Sequence, residues 1–446
     1  MKNIILLKIW FISLSFLQII KFSQQTIQSN KKLAFVFELL RHGARAPLIQ
    51  EPEGYFLVGP GMLTQSGMRQ RYIQGRLNRQ KYIDFQNGEF IDSDWFNPEQ
   101  IQIFSTNVHR AIQSSYAELL GLYGPKLFNK KSEDDKTTTT ERNDFSNFMN
   151  QNEKKSLMEG KGMPQLKFSK NQKSIHDYDE LDNVDFSLIP LFNFMKAKIN
   201  DDITETGCPY AGSQYSSAYF NPEYYQNNTK QLLEILRAPY IEAFNLHGFK
   251  ARFMNFTDMY DYSDVLLGEE FEGTCKTRYN FTNEEWYYNR YVQMLTLTLD
   301  FLDYSRQLYI TKMLRKPLKH IQSRIDDILG LNKYADQDNL RILIYSGHDV
   351  QISNLLHQLQ PREYNQIVDI PYSSLVTFEL FYDSSCVEQF KNGKINGQMG
   401  SKGHDCFEVK IYFNGNPLTF DQCQGDDEIL IIYGIRIKRI FVKQRR

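Results

Sequence analysis

The chain has 446 residues, 41% hydrophobic and 24% charged, which suffices for one large domain with an insertion or for two domains. Its formal charge of -1 provides no basic excess, so nucleic acid is not expected as a partner. The 32 Phe and 27 Tyr argue for a substantial core and against a mainly disordered chain.

At the start, Lys2 and the apolar stretch Ile4 to Ile20 have the n-region and h-region of a secretory signal peptide, with cleavage expected near Ser23 and residues 1–23 removed. The alternative is an uncleaved anchor helix, since the stretch is nearly long enough to span a bilayer. No later segment has enough consecutive apolar residues to cross a membrane, so no stable span is expected once the signal is gone.

Leu33 to Leu40 read as a buried strand that runs directly into Arg41-His42-Gly43-Ala44-Arg45-Ala46-Pro47. The five specified positions, R-H-G-x-R-x-P, would arise by chance in a chain of this length with odds on the order of one in ten thousand. They set a nitrogen nucleophile, His42, between two guanidiniums at a strand exit, which suits attack on a dianionic phosphate. Next, Gly61-Met62-Leu63-Thr64-Gln65-Ser66-Gly67 leads into a polar helical run through Arg69, Arg71, Arg76 and Arg79, with Thr64 as N-cap.

A second strand, Ile101 to Phe104, precedes Ser105-Thr106-Asn107-Val108-His109-Arg110. In the helix that follows, Val108, Ala111, Ile112, Ser115, Leu119 and Leu122 form one stripe, which puts Arg110 in the first turn and roughly opposite it. A helix N-terminus does not favour a cation there unless an anion lies between them, as phosphate does at many helix starts. A solvated surface arginine is the bland alternative.

Asn129 to Ser187 is polar and reads as a long surface insertion. The sequons at Asn227, Asn255 and Asn280 are glycosylation candidates and fit a secretory route. The middle then turns helical and aromatic, with Val292, Leu295, Leu299 and Leu302 on one face. The five cysteines, at 208, 275, 386, 406 and 423, are too few and too widely spaced for a disulfide scaffold or a zinc site, and their odd number leaves one thiol over.

Arg341 to Tyr345 is strand-like and ends in Ser346-Gly347-His348-Asp349, where a helix through Ile352, Leu355 and Leu356 begins. His176-Asp177 and His404-Asp405 repeat the dipeptide, but only His348-Asp349 stands at the carboxyl end of an apolar strand, where open parallel sheets bind ligands. Phe407 to Phe413 reads as an edge strand.

The heptad, the segment Leu63-Thr64 to Gly67, the segment Ser105-Thr106-Asn107 to Arg110, and His348-Asp349 together resemble the histidine acid phosphatases, the secreted branch of a superfamily whose catalytic histidine takes up the phosphoryl group. The resemblance implies a three-layer α/β/α core domain of the phosphoglycerate mutase type with a smaller inserted helical domain. Residues 30–130 and 311–427 would form the two parts of the core, 131–310 the helical cap with its polar insertion, and 428–446 an unassigned tail. It further implies His42 as nucleophile, Asp349 as proton donor, and Arg41, Arg45, Arg110 and His348 as phosphate ligands, with no metal and no cofactor. Three cations beside His42 should lower its pKa and keep the imidazole neutral in acid.

The resemblance would offer disulfides from Cys208 and Cys275, although Ser373-Ser374 stand where a partner for Cys275 is expected. The implied substrate is a phosphate monoester in an extracellular or lysosomal compartment, with a homodimer as one arrangement. Narrower readings are a phytase, a lysophosphatidate phosphatase, or a secreted phosphate-ligand-binding protein without catalysis.

Overall fold

The computed structural model describes residues 31–49, 56–86, 89–91, 96–123, 191–194, 201–204, 208–210, 213, 222–272, 279–299, 303–331, 339–367, 369–393 and 403–421. The expected signal peptide, the stretch 129–187, His176, Cys275, Cys423 and the tail 428–446 lie outside the described residues.

Strand β1 (Lys31–Arg41) is the middle strand of the sheet. Phe35, Phe37 and Leu39 point to one face, where they join Tyr309, Ile310 and Met313 of one helix and Ile352, Leu355 and Leu356 of another. Val36 and Leu40 point to the other, against Ile101, Ile103, Leu119 and Leu122. Because both faces are covered, the strand reads as a nearly continuous apolar run rather than an alternating one. The exception is Glu38, which occupies the second face between Val36 and Leu40 and is 1% exposed.

The sheet has seven strands in the order β3-β2-β4-β1-β5-β6-β7, with β2 at Ile101–Thr106, β3 at Phe192–Phe194, β4 at Ile342–Gly347, β5 at Leu375–Asp383, β6 at Phe407–Phe413 and β7 at Asn416–Pro417. The four strands β1 to β4 run parallel, and β5 to β7 are antiparallel. Phe407 to Phe413 is therefore not the edge. Asn414 (φ 50°) and Gly415 (φ 80°) both adopt the left-handed conformation, which makes the tight hairpin turn that folds β7 back onto it.

Helices α1 (Gln65–Arg79) and α2 (His109–Tyr123) cover one face of the sheet. They meet where Gly75 faces Gly121, so closely that a Cβ on either would collide with the partner's backbone. Helices α3 (Pro222–Ala243), α4 (Gly248–Arg252), α5 (Phe256–Glu272) and α6 (Asn283–Leu299) follow. α3, α5 and α6 share a core of their own around Leu236, Tyr240, Met259, Leu266 and Val292. Helix α7 (Asp303–Leu329) runs without a break through residues 310 and 311, and from Tyr309 onward it packs in the sheet's core. Helices α8 (Asp349–Leu359) and α9 (Ser384–Lys391) complete that face.

A disulfide joins Cys386 to Cys406, twenty residues on, and ties the start of α9 to the turn before β6. Cys208 is a free thiol that packs against the core as a small apolar side chain, and among the described residues it forms no bridge. Asn255 and Asn280 are exposed, and the side chain of Asn227 lies outside the described residues. Asn255 also caps α5, its side-chain oxygen accepting from the backbone N–H of Asp258 at 3.1 Å.

Candidate active site

Two neighbouring parallel strands bring the sequence-predicted residues together. In the β1–β4 register Arg41 stands opposite Gly347, so the chain leaves both strands at the same end, and the His42 backbone N–H donates to the Gly347 carbonyl at 3.1 Å. The rings of His42 and His348 are consequently 5.4 Å apart. β2 ends beside them at Thr106, and the first turn of α2 carries Arg110 across to His42.

The loop after β1 crosses the first turn of α1, where Thr64 caps the helix by accepting from Gly67 N–H at 3.1 Å. A Cβ on Gly43 would collide with the Gly67 carbonyl, and one on Gly67 with that of Ala44. Both positions need glycine for this close approach. The Gly43 N–H donates to Ser114 Oγ at 3.0 Å, fixing the loop to α2 as well.

His42 is 2% exposed. Its Nδ1 lies 2.8 Å from the Gly43 carbonyl, which can only accept, so Nδ1 carries the proton. Nε2 is left with the lone pair and accepts from Arg110 Nε at 3.0 Å. Burial, then the guanidiniums of Arg110 and Arg41, hold this imidazole well below the usual histidine range. His348 is lowered to about 3, by burial first and Arg110 next, against the opposing pull of Asp349. Its Nε2 meets Thr106 Oγ1 at 3.0 Å, its Nδ1 lies 3.5 Å from Arg110, and its backbone N–H donates to Gln351 at 2.7 Å.

The guanidiniums are not free forks waiting in solvent. Arg41 forms an ion pair with Asp349 at 2.6 Å, donates to the Ile370 carbonyl, and stacks 4.4 Å from the ring of Tyr372. Arg45 makes a two-pronged pair with Asp264 of α5 at 2.8 and 2.9 Å, and Asp264 also accepts from Leu48 N–H. That partner keeps Arg45 firmly charged despite its burial. Of the three guanidiniums, Arg41 and Arg45 each keep a buried Nε–H without a partner. Arg110 is lowered to about 10 by burial and by Arg45. The site thus holds more positive charge than it neutralises, with two buried donors unused, which an anion would correct.

Asp349 opens α8, and Val350 N–H donates to its Oδ1 at 3.0 Å. Burial works to raise its pKa, but Arg41, His348, Arg45 and Arg110 outweigh burial and hold the carboxyl below the ordinary carboxylate range. Without a bound anion, Asp349 is therefore ionised. A cleft of about 450 Å³ opens beyond Arg41 and Asp349, between α5, α6 and the segment Asp369 to Tyr372.

The sequence pattern of the histidine phosphatase superfamily (branch 2) matches residues 32–414. The chain belongs to this superfamily. Among curated relatives, a lysosomal acid phosphatase of Xenopus laevis is 34% identical over 124 residues, 26% of this chain and 27% of the relative. A prostatic acid phosphatase of Homo sapiens is 34% identical over 120 residues, 26% of this chain and 30% of the relative. The matched stretch thus spans less than a third of either relative's length. A solved phytase of Hafnia alvei, in complex with myo-inositol hexakis sulphate, shares the fold at 14% identity with a TM-score of 0.51, covering 93% of this chain and 97% of that one.

In this member of the superfamily, all six residues expected at the site, Arg41, His42, Arg45, Arg110, His348 and Asp349, come together at one end of the sheet. Residues that sequence reasoning did not single out are Asp264, Tyr372, Gln351 and Ser114, along with Thr106 as a partner of His348. Asp264 had no readable signal, being one of several acids on a helix more than two hundred residues away from Arg45 in sequence.

Proposed function

We propose that the chain is an acid phosphomonoesterase that works through a phosphohistidine on His42. The observation that carries this is the neutral His42, its Nε2 lone pair held by Arg110 at 3.0 Å among three guanidiniums, with the carboxyl of Asp349 across the site. A phosphate monoester entering here would place its peripheral oxygens on Arg41, Arg45 and Arg110, spreading the transition-state charge as a metal does elsewhere. Nε2 attacks phosphorus, the P–O ester bond breaks, and Asp349 protonates the departing alkoxide. Asp349 then takes a proton from the water that cleaves the N–P bond. The names of the lysosomal and prostatic relatives favour the same reaction.

Asp349 lacks a proton in the free enzyme, so acid activity needs a second source. An ester's second ionisation lies near pH 6, and below it the monoanion brings the missing proton in with it. The acidic optimum then reports the ester, while the depressed pKa of His42 keeps the nucleophile competent. His348, with both ring nitrogens engaged, orients Arg110 and joins the phosphoryl group once the anion draws Arg110 away. The compartment we infer is one reached by secretion, supported by the Cys386–Cys406 bridge and the exposed Asn255 and Asn280.

The test is hydrolysis of para-nitrophenyl phosphate from pH 3 to 8 in EDTA. The expected outcome is an acid-optimal, EDTA-resistant activity that falls about a thousandfold or more in His42→Ala, with inorganic phosphate still bound. Full activity in the variant would remove His42 as nucleophile.

A further inference from the structure

The cleft beyond Asp349 is where a leaving group must lie, because the proton donor stands at its mouth. One wall is apolar and aromatic: Leu267, Met294 and Pro371, with Phe271 set edge-on to Tyr372 at 5.7 Å between ring centres. The opposite feature is a charged clasp. Arg290 of α6 pairs with Glu270 of α5 at 2.6 Å and approaches Asp369 at 3.8 Å. The cleft's cation away from the phosphate end is therefore already occupied by two carboxylates, which outnumber it. Glu270, Asp369 and Arg290 all line the cleft and are exposed to a similar extent, at 38%, 31% and 34% of their side-chain surface, so an incoming molecule meets two carboxylates for one cation.

Resting on the phosphatase reading above, we infer that this cleft selects monoesters of aryl alcohols whose leaving group bears no further negative charge. A flat ring can lie on the Phe271 and Tyr372 wall with its oxygen toward Asp349. A leaving group carrying phosphates or sulfonates would meet Glu270 and Asp369 with like charge and find Arg290 taken. A cationic substituent meets the same carboxylates favourably. The cleft thus argues against a polyphosphorylated ring as substrate, even though the fold is shared with phytases.

The test is a series of phenyl phosphates differing only at the para position, with aminomethyl, methyl or sulfomethyl substituents, assayed at pH 6 and low salt. The methylene damps the substituent's pull on the phenol, and the double variant below shows how much of the order leaving-group acidity alone imposes. The expected order in kcat/KM is aminomethyl, then methyl, then sulfomethyl, with about tenfold or more between the extremes that shrinks as salt is raised. In the isosteric double variant Glu270→Gln, Asp369→Asn the series should collapse to within about twofold of flat. A flat or reversed series in wild type that turns over the methyl ester, or phytate turned over as well as that ester, would overturn the inference while leaving the phosphatase reading standing. No turnover of the methyl ester would overturn the phosphatase reading itself, and the inference with it.

Discussion

Two buried charge clusters lie on either side of the His42 loop, and they solve opposite problems. The site gathers Arg41, Arg45 and Arg110 against Asp349 and Asp264, an excess of cation, and keeps both histidines neutral. Behind it, on the α1–α2 face, Arg71 pairs with Glu118 while Asn78 donates to Glu118 at 3.0 Å and to Glu38 at 2.9 Å, an excess of anion. Burial first, and then Glu118, push Glu38 up to about 8, so this second cluster balances itself with a proton. One cluster is left with an excess of cation that an anion from outside would balance; the other reaches charge balance with a proton of its own. Function goes with the incomplete one, since a buried charge left unbalanced costs stability that a bound anion recovers.

Arg71 joins the two. It donates to the carbonyl and hydroxyl of Ser373, which sits at φ 66°, and Ser373 N–H in turn donates to the His42 carbonyl at 3.0 Å. The largest effect is therefore expected from Arg71→Leu, which strands Glu118 in the core. Urea unfolding should show a loss of about 3–5 kcal/mol, and the double variant Arg71→Leu, Glu118→Leu should recover more than half of it. A loss under about 1 kcal/mol in the single variant would mean that the pair is not balancing charge. Arg110→Ala should do the reverse, leaving stability nearly unchanged while lowering kcat about a hundredfold to a thousandfold. Because Arg110 is the largest charge effect lowering His42, the acid limb of kcat/KM should also move to higher pH. An unmoved limb would show that burial alone sets the histidine.

The contrast also explains what could be read from the chain. The site was legible because each part has a local signature: a strand ending in Arg41-His42, a second ending in His348-Asp349, and Arg110 at a helix start opposite an apolar stripe. Thr64 as a cap was legible for the same reason. The second cluster was not. Arg71 and Arg79 belong to a polar helical run with nothing local to mark them as buried, and Glu118 carries no signal of its own, because their burial depends on the Gly75–Gly121 crossing of α1 and α2. Asp264 likewise acquires meaning only when α5 is folded over Arg45. The β7 hairpin is a different case, since Asn414-Gly415 is a local turn signal that the edge-strand reading passed over.

The smallest effect, and the sharpest comparison, comes from pH. Glu38 is raised from 4.5 to about 8 in the folded chain, so the folded state holds a proton that the unfolded state releases. The stability it contributes is present below pH 4.5 and is lost as pH rises through about 8, at a slope no steeper than about 1.4 kcal/mol per pH unit for one proton. The site has the opposite sign. With His42 and His348 depressed, the unfolded chain takes up protons that the folded chain refuses, so stability falls as pH drops below 6.5. Glu38→Gln, which keeps a neutral polar group beside Asn78, should remove one proton's slope from Tm against pH between 4.5 and about 8 and leave the slope below pH 4.5 unchanged, where Glu38 is protonated in both states. Inorganic phosphate should lift the acid limb, where a bound anion lets the histidines accept protons, and leave the alkaline slope as it was. Equal slopes in wild type and Glu38→Gln between pH 5 and 8 would show that the second cluster holds no proton.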